Sequence, residues 1–410
     1  MSGTAVPRGA ISGRPTWGDA ALLVTISSIG PFAANTYVPG FHAIAESLGT
    51  DLVAVQQSLS LYLIVFAVAS LFVGALSDAL ERKPVIVGGM LLFVVSSVAA
   101  MMSTSIEWLY ACRVLQGVAA SVGPVVTQAV VRDRWSGENA ARVLALMTVL
   151  FGLAPAAAPI IGGWITVHFG WRGIFLFLAV LNLTLAALAH FKLPETHPKE
   201  NRRAFSVVGT AAPYGQAVRH PAFMAGVIGH GFPFMGGIVY SAGAADFVIN
   251  IMGMGVDDFG WLVVPLIVCT MLGGWAGPRL LRRLGPWPLL AWGISVMTAA
   301  GLVGIALDWE GAPGYPWLLV CPMIYHFNMA VVRPVMNVMN LDYFPKNRGM
   351  AASIQQFFQT MGFAVASAVL VPIVLGEAWR YSAVMAGAAV LTGLLWIVVK
   401  RRREAAVDAE

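Results

Sequence analysis

Apolar residues run along this chain in blocks of about 20 to 27, separated by short clusters of charge, glycine and proline. The blocks do not alternate with period two, so they are not the roughly ten-residue segments of a membrane barrel. Each is long enough to cross the roughly 30 Å hydrocarbon core of a bilayer as a helix. The pattern predicts twelve such helices, at 20–41, 54–77, 85–104, 108–131, 140–166, 171–193, 222–248, 258–280, 286–307, 316–340, 350–374 and 379–399. The expected class is therefore an all-α membrane protein.

Composition strengthens this reading. Of the 410 residues, 58% are hydrophobic and 11% charged, against about 25% charged in soluble domains. A surface so poor in charge requires lipid as its solvent. Cys112, Cys269 and Cys321 all fall inside apolar blocks without metal-ligand spacing and read as packing residues. Residues 1–16 are polar and include Arg8 and Arg14, so no cleavable signal peptide is expected.

The net charge of +5 follows membrane sidedness rather than a nucleic-acid surface. With twelve helices, 21 of the 25 Lys and Arg fall in segments on one side. Arg172 and Arg380 lie on the other, and Arg113 and Arg333 sit inside helices. Opposite loops are acidic, with Glu46, Asp51, Glu107, Asp257, Asp258, Asp308, Glu310 and Glu377. The basic side is cytoplasmic, so both termini are expected there, in a bacterial-type inner membrane. A miscount of one helix would scramble this segregation.

The longest polar stretch divides the helices six and six. The expected organisation is a cytoplasmic tail at 1–19, a six-helix bundle at 20–193, a cytoplasmic linker at 194–220, a second bundle at 221–400 and a tail at 401–410. Gly170-Trp171-Arg172 is echoed by Ala378-Trp379-Arg380 and Arg142 by Arg348, at a spacing of about 207 residues, and the basic turn at Arg82-Lys83 is echoed by Arg282-Arg283. Two parallel repeats with a substrate site between them suit alternating access by rocking.

Three stretches carry recognisable patterns. They are Gly74-Ala-Leu-Ser-Asp78-Ala-Leu-Glu-Arg82-Lys83-Pro84, then Arg113-Val-Leu-Gln116-Gly117, then Gly152-Leu-Ala-Pro155-Ala-Ala-Ala-Pro159-Ile-Ile-Gly162-Gly163. They resemble the signature motifs of the major facilitator superfamily in its drug:proton antiporter class, the third being similar to the exporter motif. Asn35-Thr-Tyr37-Val-Pro39, Leu193-Pro-Glu-Thr196 and Phe247 to Gly253 with Phe259-Gly260 resemble its bicyclomycin/chloramphenicol-resistance (Bcr/CflA) branch. The resemblance implies two pseudo-symmetric six-helix bundles, transport of a small molecule, no cofactor, and a monomer.

The residues have physical roles to match. Asp78 can pair with Arg82 or with Arg142 and brace one conformation; the plainer reading is a solvated loop charge. Arg113, with Gln116, heads a weakly polar helix face, and a buried intramembrane Arg is expensive enough to point to function. Gly152, Pro155, Pro159, Gly162 and Gly163 shape a helix and permit close approach. His326, Arg333, Asn337 and Asn340 share one face of the tenth helix, and Gln355, Gln359 and Gly362 give the eleventh a similar face. Arg333 reads either as a snorkelling helix-end arginine or as part of a translocation path. Phe32, Tyr37, Tyr62, Phe234, Tyr240 and Tyr325 are available to line an apolar pocket.

The chain departs from the branch pattern at Asn35, where an acid is usual. An amide cannot take and release a proton, so Arg113 lacks the partner that the resemblance implies. Ala79, Glu81 and Ala158 also depart from the motifs. Substitute proton carriers are Asp246, the acid placed inside a predicted helix, and the two helix histidines, His230 and His326. Two buried arginines and almost no buried acids favour a neutral, zwitterionic or anionic substrate.

The leading expectation is a secondary exporter of such a molecule, a drug or a metabolite, by proton antiport. A facilitator or importer of the same fold is the alternative, favoured by Asn35 and disfavoured by the Gly152–Gly163 segment. An intramembrane enzyme would need a catalytic cluster, and the seven histidines form none. No P-loop is present, so this chain supplies no ATP drive.

Overall fold

The computed structural model describes residues 17–135, 137–196, 214–255, 257–309, 314–344 and 348–407. The expected N-terminal tail and central linker fall mostly outside the described residues. Among the described residues all regular structure is helical. The chain divides into two compact units, Met1–Val207 and Val208–Glu410.

In the first unit, α1 (Trp17–Thr36) ends in a 3-10 turn at Val38–Gly40 and continues as the short α2 (Phe41–Leu48). Then come α3 (Leu52–Ala79), α4 (Arg82–Met101), α5 (Ile106–Arg134) and α6 (Gly137–Lys192). Two starts are set by capping. Asp51 Oδ1 accepts the amide of Ala54 at 2.6 Å, and Ser105 Oγ accepts that of Trp108 at 3.3 Å.

The predicted fifth and sixth helices run together in the 56-residue α6. A continuous helix of that length would span about 84 Å, far more than a bilayer core. Gly170 interrupts it with φ 70 and ψ 172, which a residue with a side chain rarely adopts. The break falls where the sequence separates the two predicted helices.

In the second unit, α7 (Pro221–Ala242), α8 (Phe259–Leu284), α9 (Pro286–Trp309), α10 (Val320–Leu341), α11 (Arg348–Val365) and α12 (Ala378–Val407) follow. The seventh predicted helix stops at Ala242; a short turn, Ala244–Asp246, and a π turn, Phe247–Ile251, continue the path. The eleventh also widens into a π turn, Ala366–Leu370, before Val371–Val374. Pro372 has no amide to give the carbonyl one turn back, which accounts for that widening.

The two units repeat one packing pattern. In the first, α1 packs on α6, α3 on α5, and α4 on both α5 and α6. In the second, α7 packs on α11 and α12, α8 on α10, and α9 on both α10 and α12. Large apolar side chains remain uncovered between these contacts. On α8, Trp261, Val264, Val268, Met271, Leu272 and Trp275 form an exposed stripe at helical spacing. Eleven helices are long and apolar enough to cross a membrane among the described residues, the stretch through Gly170 counting as one.

Candidate functional site

The first unit builds its polar centre around Arg113. Its position on α5 is fully buried. The guanidinium lies between two aromatic faces, 4.6 Å from the Tyr37 centroid and 4.2 Å from that of Tyr62. Such stacking suits a planar, weakly hydrated cation. One Nη donates to Gln116 Oε1 at 2.7 Å, a partner one helical turn away, and Gln116 Nε2 donates to Ser97 Oγ on α4 at 2.8 Å. Each tyrosine is itself held. Tyr37 and Ser58 share a 2.8 Å hydroxyl contact, and the Tyr62 hydroxyl donates to the carbonyl of Gly30 at 2.8 Å.

This centre holds no carboxylate partner for Arg113 among the described residues. Its Nε and other Nη are buried without acceptors. Asn35 is also buried. Its Nδ2 turns back to the carbonyl of Pro31 at 2.8 Å, leaving Oδ1 without a partner.

A second cluster ties the α3–α4 turn to the ends of α5 and α6. Arg82 is held at 2.5 Å from Asp78 and 3.1 Å from Asp133, and also donates to Ser77 Oγ at 2.6 Å. The backbone amides of Arg82 and Lys83 both donate to Glu195, at 3.1 and 3.0 Å. A carboxylate there complements the positive end of α4. Gly74 lies on α3 with room for a methyl group, in ordinary contact with Val125. Arg142 is exposed on α6.

The Gly152–Gly163 segment lies within α6. The surroundings of Gly152 and Pro155 fall outside the described residues. Pro159, Gly162 and Gly163 are buried. At Gly162 the approach is so close that a Cβ would land on the carbonyl oxygen of Thr36. Here α6 packs backbone to backbone on α1, which only glycine permits.

In the second unit, Arg333 on α10 donates to Gln359 Oε1 on α11 at 2.6 Å and lies 4.8 Å from the Phe234 centroid on α7. Its Nε is buried without a partner. Gln355 bridges Asn337 and Asn340, donating at 2.8 Å to the first and accepting at 3.0 Å from the second. His230 is buried with Nδ1 unpartnered. His326 Nδ1 contacts the carbonyl of Pro322 at 2.8 Å.

Asp246 lies apart from this cluster. One carboxylate oxygen accepts from Asn250 at 2.8 Å; the other accepts from the amide of Gly376 at 2.9 Å and the hydroxyl of Tyr381 at 3.1 Å. Asp308, assigned by sequence to an outer loop, accepts from Ser382 at 3.0 Å at the end of α9.

Sequence reasoning gave no role to Ser58, Ser97, Asp133 or Glu195. Glu195 stood in a motif stretch that marked it, while the others carry no local signal. Among the described residues no group of His, Cys, Asp and Glu has the makings of a metal site.

The family model described as Major Facilitator Superfamily matches residues 22–310 and 296–410. A bicyclomycin resistance protein homologue of Haemophilus influenzae is 28% identical over 68% of this chain and 70% of its own length. Multidrug resistance protein D of Escherichia coli is 26% identical over 84% of this chain and 86% of its own length. A crystal structure of a bacterial homologue of the human lysosomal transporter Spinster superposes with a TM-score of 0.73 at 14% identity, covering 93% of this chain and 96% of that one.

Proposed function

The chain belongs to the major facilitator superfamily, and within it we propose that it is a secondary exporter of a small neutral, zwitterionic or anionic molecule, driven by proton antiport. It is a multi-pass membrane transporter by family. In this reading it crosses a bacterial inner membrane twelve times with both termini in the cytoplasm, acts as a monomer, and exposes its substrate site alternately to the two sides.

The observation that carries the substrate class is the charge inside the helices. Arg113 and Arg333 each lie among aromatic and amide side chains with unused donors and no carboxylate partner among the described residues. A lipophilic cation would be repelled by both. Export, rather than import, rests on the Gly152–Gly163 segment, on the Gly162–Thr36 backbone contact within it, and on relatives named for resistance.

One observation favours a second reading, an uncoupled facilitator or importer. Asn35 cannot carry a proton, and its amide is spent on the carbonyl of Pro31. Proton coupling then falls to Asp246, His230 or His326.

Substrate-triggered proton flux decides between the two. Purified protein in liposomes, with a pH-sensitive dye inside and an imposed pH gradient, should move protons when a transported compound is added. Loss of that flux in Asp246→Asn, His230→Ala or His326→Ala would identify the carrier. Substrate movement without proton movement would replace antiport by facilitation.

A further inference from the structure

We infer that the second unit holds a docking point for an acidic group of the substrate, a carboxylate or a similar planar oxyanion, formed by Arg333 over Phe234, with His230 one helical turn away. This rests on the exporter reading and narrows its substrate class.

The first argument is charge. Helices α7, α10 and α11 contain no Asp or Glu, and Arg333 faces no carboxylate among the described residues. A guanidinium at membrane depth needs a counter-charge, and here the helices supply none. The second argument is unused valence. Of the five N–H donors a guanidinium offers, Gln359 takes one, and the buried Nε has no acceptor. An amide oxygen is a neutral stand-in for the charged oxygen that would pair best with Arg.

Geometry supplies the third argument. His230 and Phe234 are one turn apart on α7, and Phe234 lies beneath the guanidinium. The Nδ1 of His230, one turn from Phe234, is a second buried polar atom with no partner. Phe234 thus brings α7 against Arg333 of α10, with one unmet polar atom on the guanidinium and another one turn along α7. Arg113 differs, because it is wholly sealed between two tyrosines, whereas Arg333 retains partial exposure. The planar fork of Arg333 takes a carboxylate through two parallel hydrogen bonds, and the ring of Phe234 suits a flat body attached to it.

Matched acids and amides test the inference on the full-length protein in nanodiscs. The pairs are salicylate and salicylamide, cinnamate and cinnamamide, and 2-naphthoate and 2-naphthamide, read as ligand-induced shifts in melting temperature over a concentration series. At least one acid should bind at least about tenfold tighter than its amide. Arg333→Gln should remove that preference, Arg333→Lys should keep part of it, and His230→Gln should weaken acid binding. The melting temperatures of the unliganded variants show that each is folded. Amides binding as tightly as acids, acids binding Arg333→Gln unchanged, or no acid binding at all would overturn the inference. Flux of neutral compounds in proteoliposomes separates this failure from a wider one. If neutral compounds are exported while acids do not bind, the exporter reading stands and the acidic docking point falls. If no compound of any charge moves, the exporter reading falls with it.

Discussion

The carboxylate of Glu195, just past the end of α6, accepts the backbone amide of Arg82 at 3.1 Å, at the start of α4. The contact joins residues 113 apart in sequence. It makes the turn after α3, the foot of α5 and the exit of α6 one electrostatic unit, because the Arg82 side chain is held by Asp78 and Asp133 at the same time.

Replacing Glu195 by Gln should leave one of the two amides facing an N–H rather than an oxygen. Glu195 is exposed, so the cost should be about 1 kcal/mol, read as a fall in melting temperature. The difference between wild type and variant should shrink in high salt. An unchanged melting temperature would mean that the contact contributes nothing.

Arg82→Gln should cost more, about 1–2 kcal/mol, because the buried guanidinium serves two carboxylates that then repel each other. Thermal unfolding of the detergent-solubilised protein measures this. Asp133→Asn should produce part of the same loss, since Asp78 still holds Arg82.

Gly162→Val should destabilise the first unit by about 1–3 kcal/mol, because its Cβ meets the Thr36 carbonyl, a backbone atom with no rotamer to change. Gly74→Ala, where the nearest atom is at 3.5 Å, should be tolerated. Equal melting temperatures for the two variants would show that the backbone contact does not exist in the folded protein.

Arg113→Lys should reduce transport by about tenfold despite keeping the charge, since an ammonium cannot stack flat between Tyr37 and Tyr62. Initial rates in proteoliposomes check this. A wild-type rate would show that only the charge matters there.

Asp246→Asn should lower stability by about 1–3 kcal/mol, because three donors converge on the carboxylate and an amide turns one of its own donors toward them. Thermal unfolding reads the structural cost, and proton flux reads any coupling role separately.

The membrane class, the helix spacing and the family motifs were legible because they are local. Helix length, hydropathy and charge at the ends follow from neighbouring residues, and bilayer thickness imposes them on any chain. Boundaries were less legible where backbone geometry departs from the α-helix. The stop at Ala242 and the π turn before Pro372 arise from glycine, proline and tertiary contacts that apolar periodicity does not register.

The site divides in the same way. Hydropathy alone places Arg113 and Arg333 in apolar helices, and the family resemblance alone marks Asn35 as standing where an acid is usual. A sequence does not say what a buried charge touches. The packing of helices shows that Tyr37 and Tyr62 enclose Arg113, that Gln359 stands against Arg333, and that Asp246 is tied to Gly376 and Tyr381. Hydropathy sums along one helix, whereas the partners of a buried polar group come from helices far apart in the chain. Their identity is set by how those helices pack.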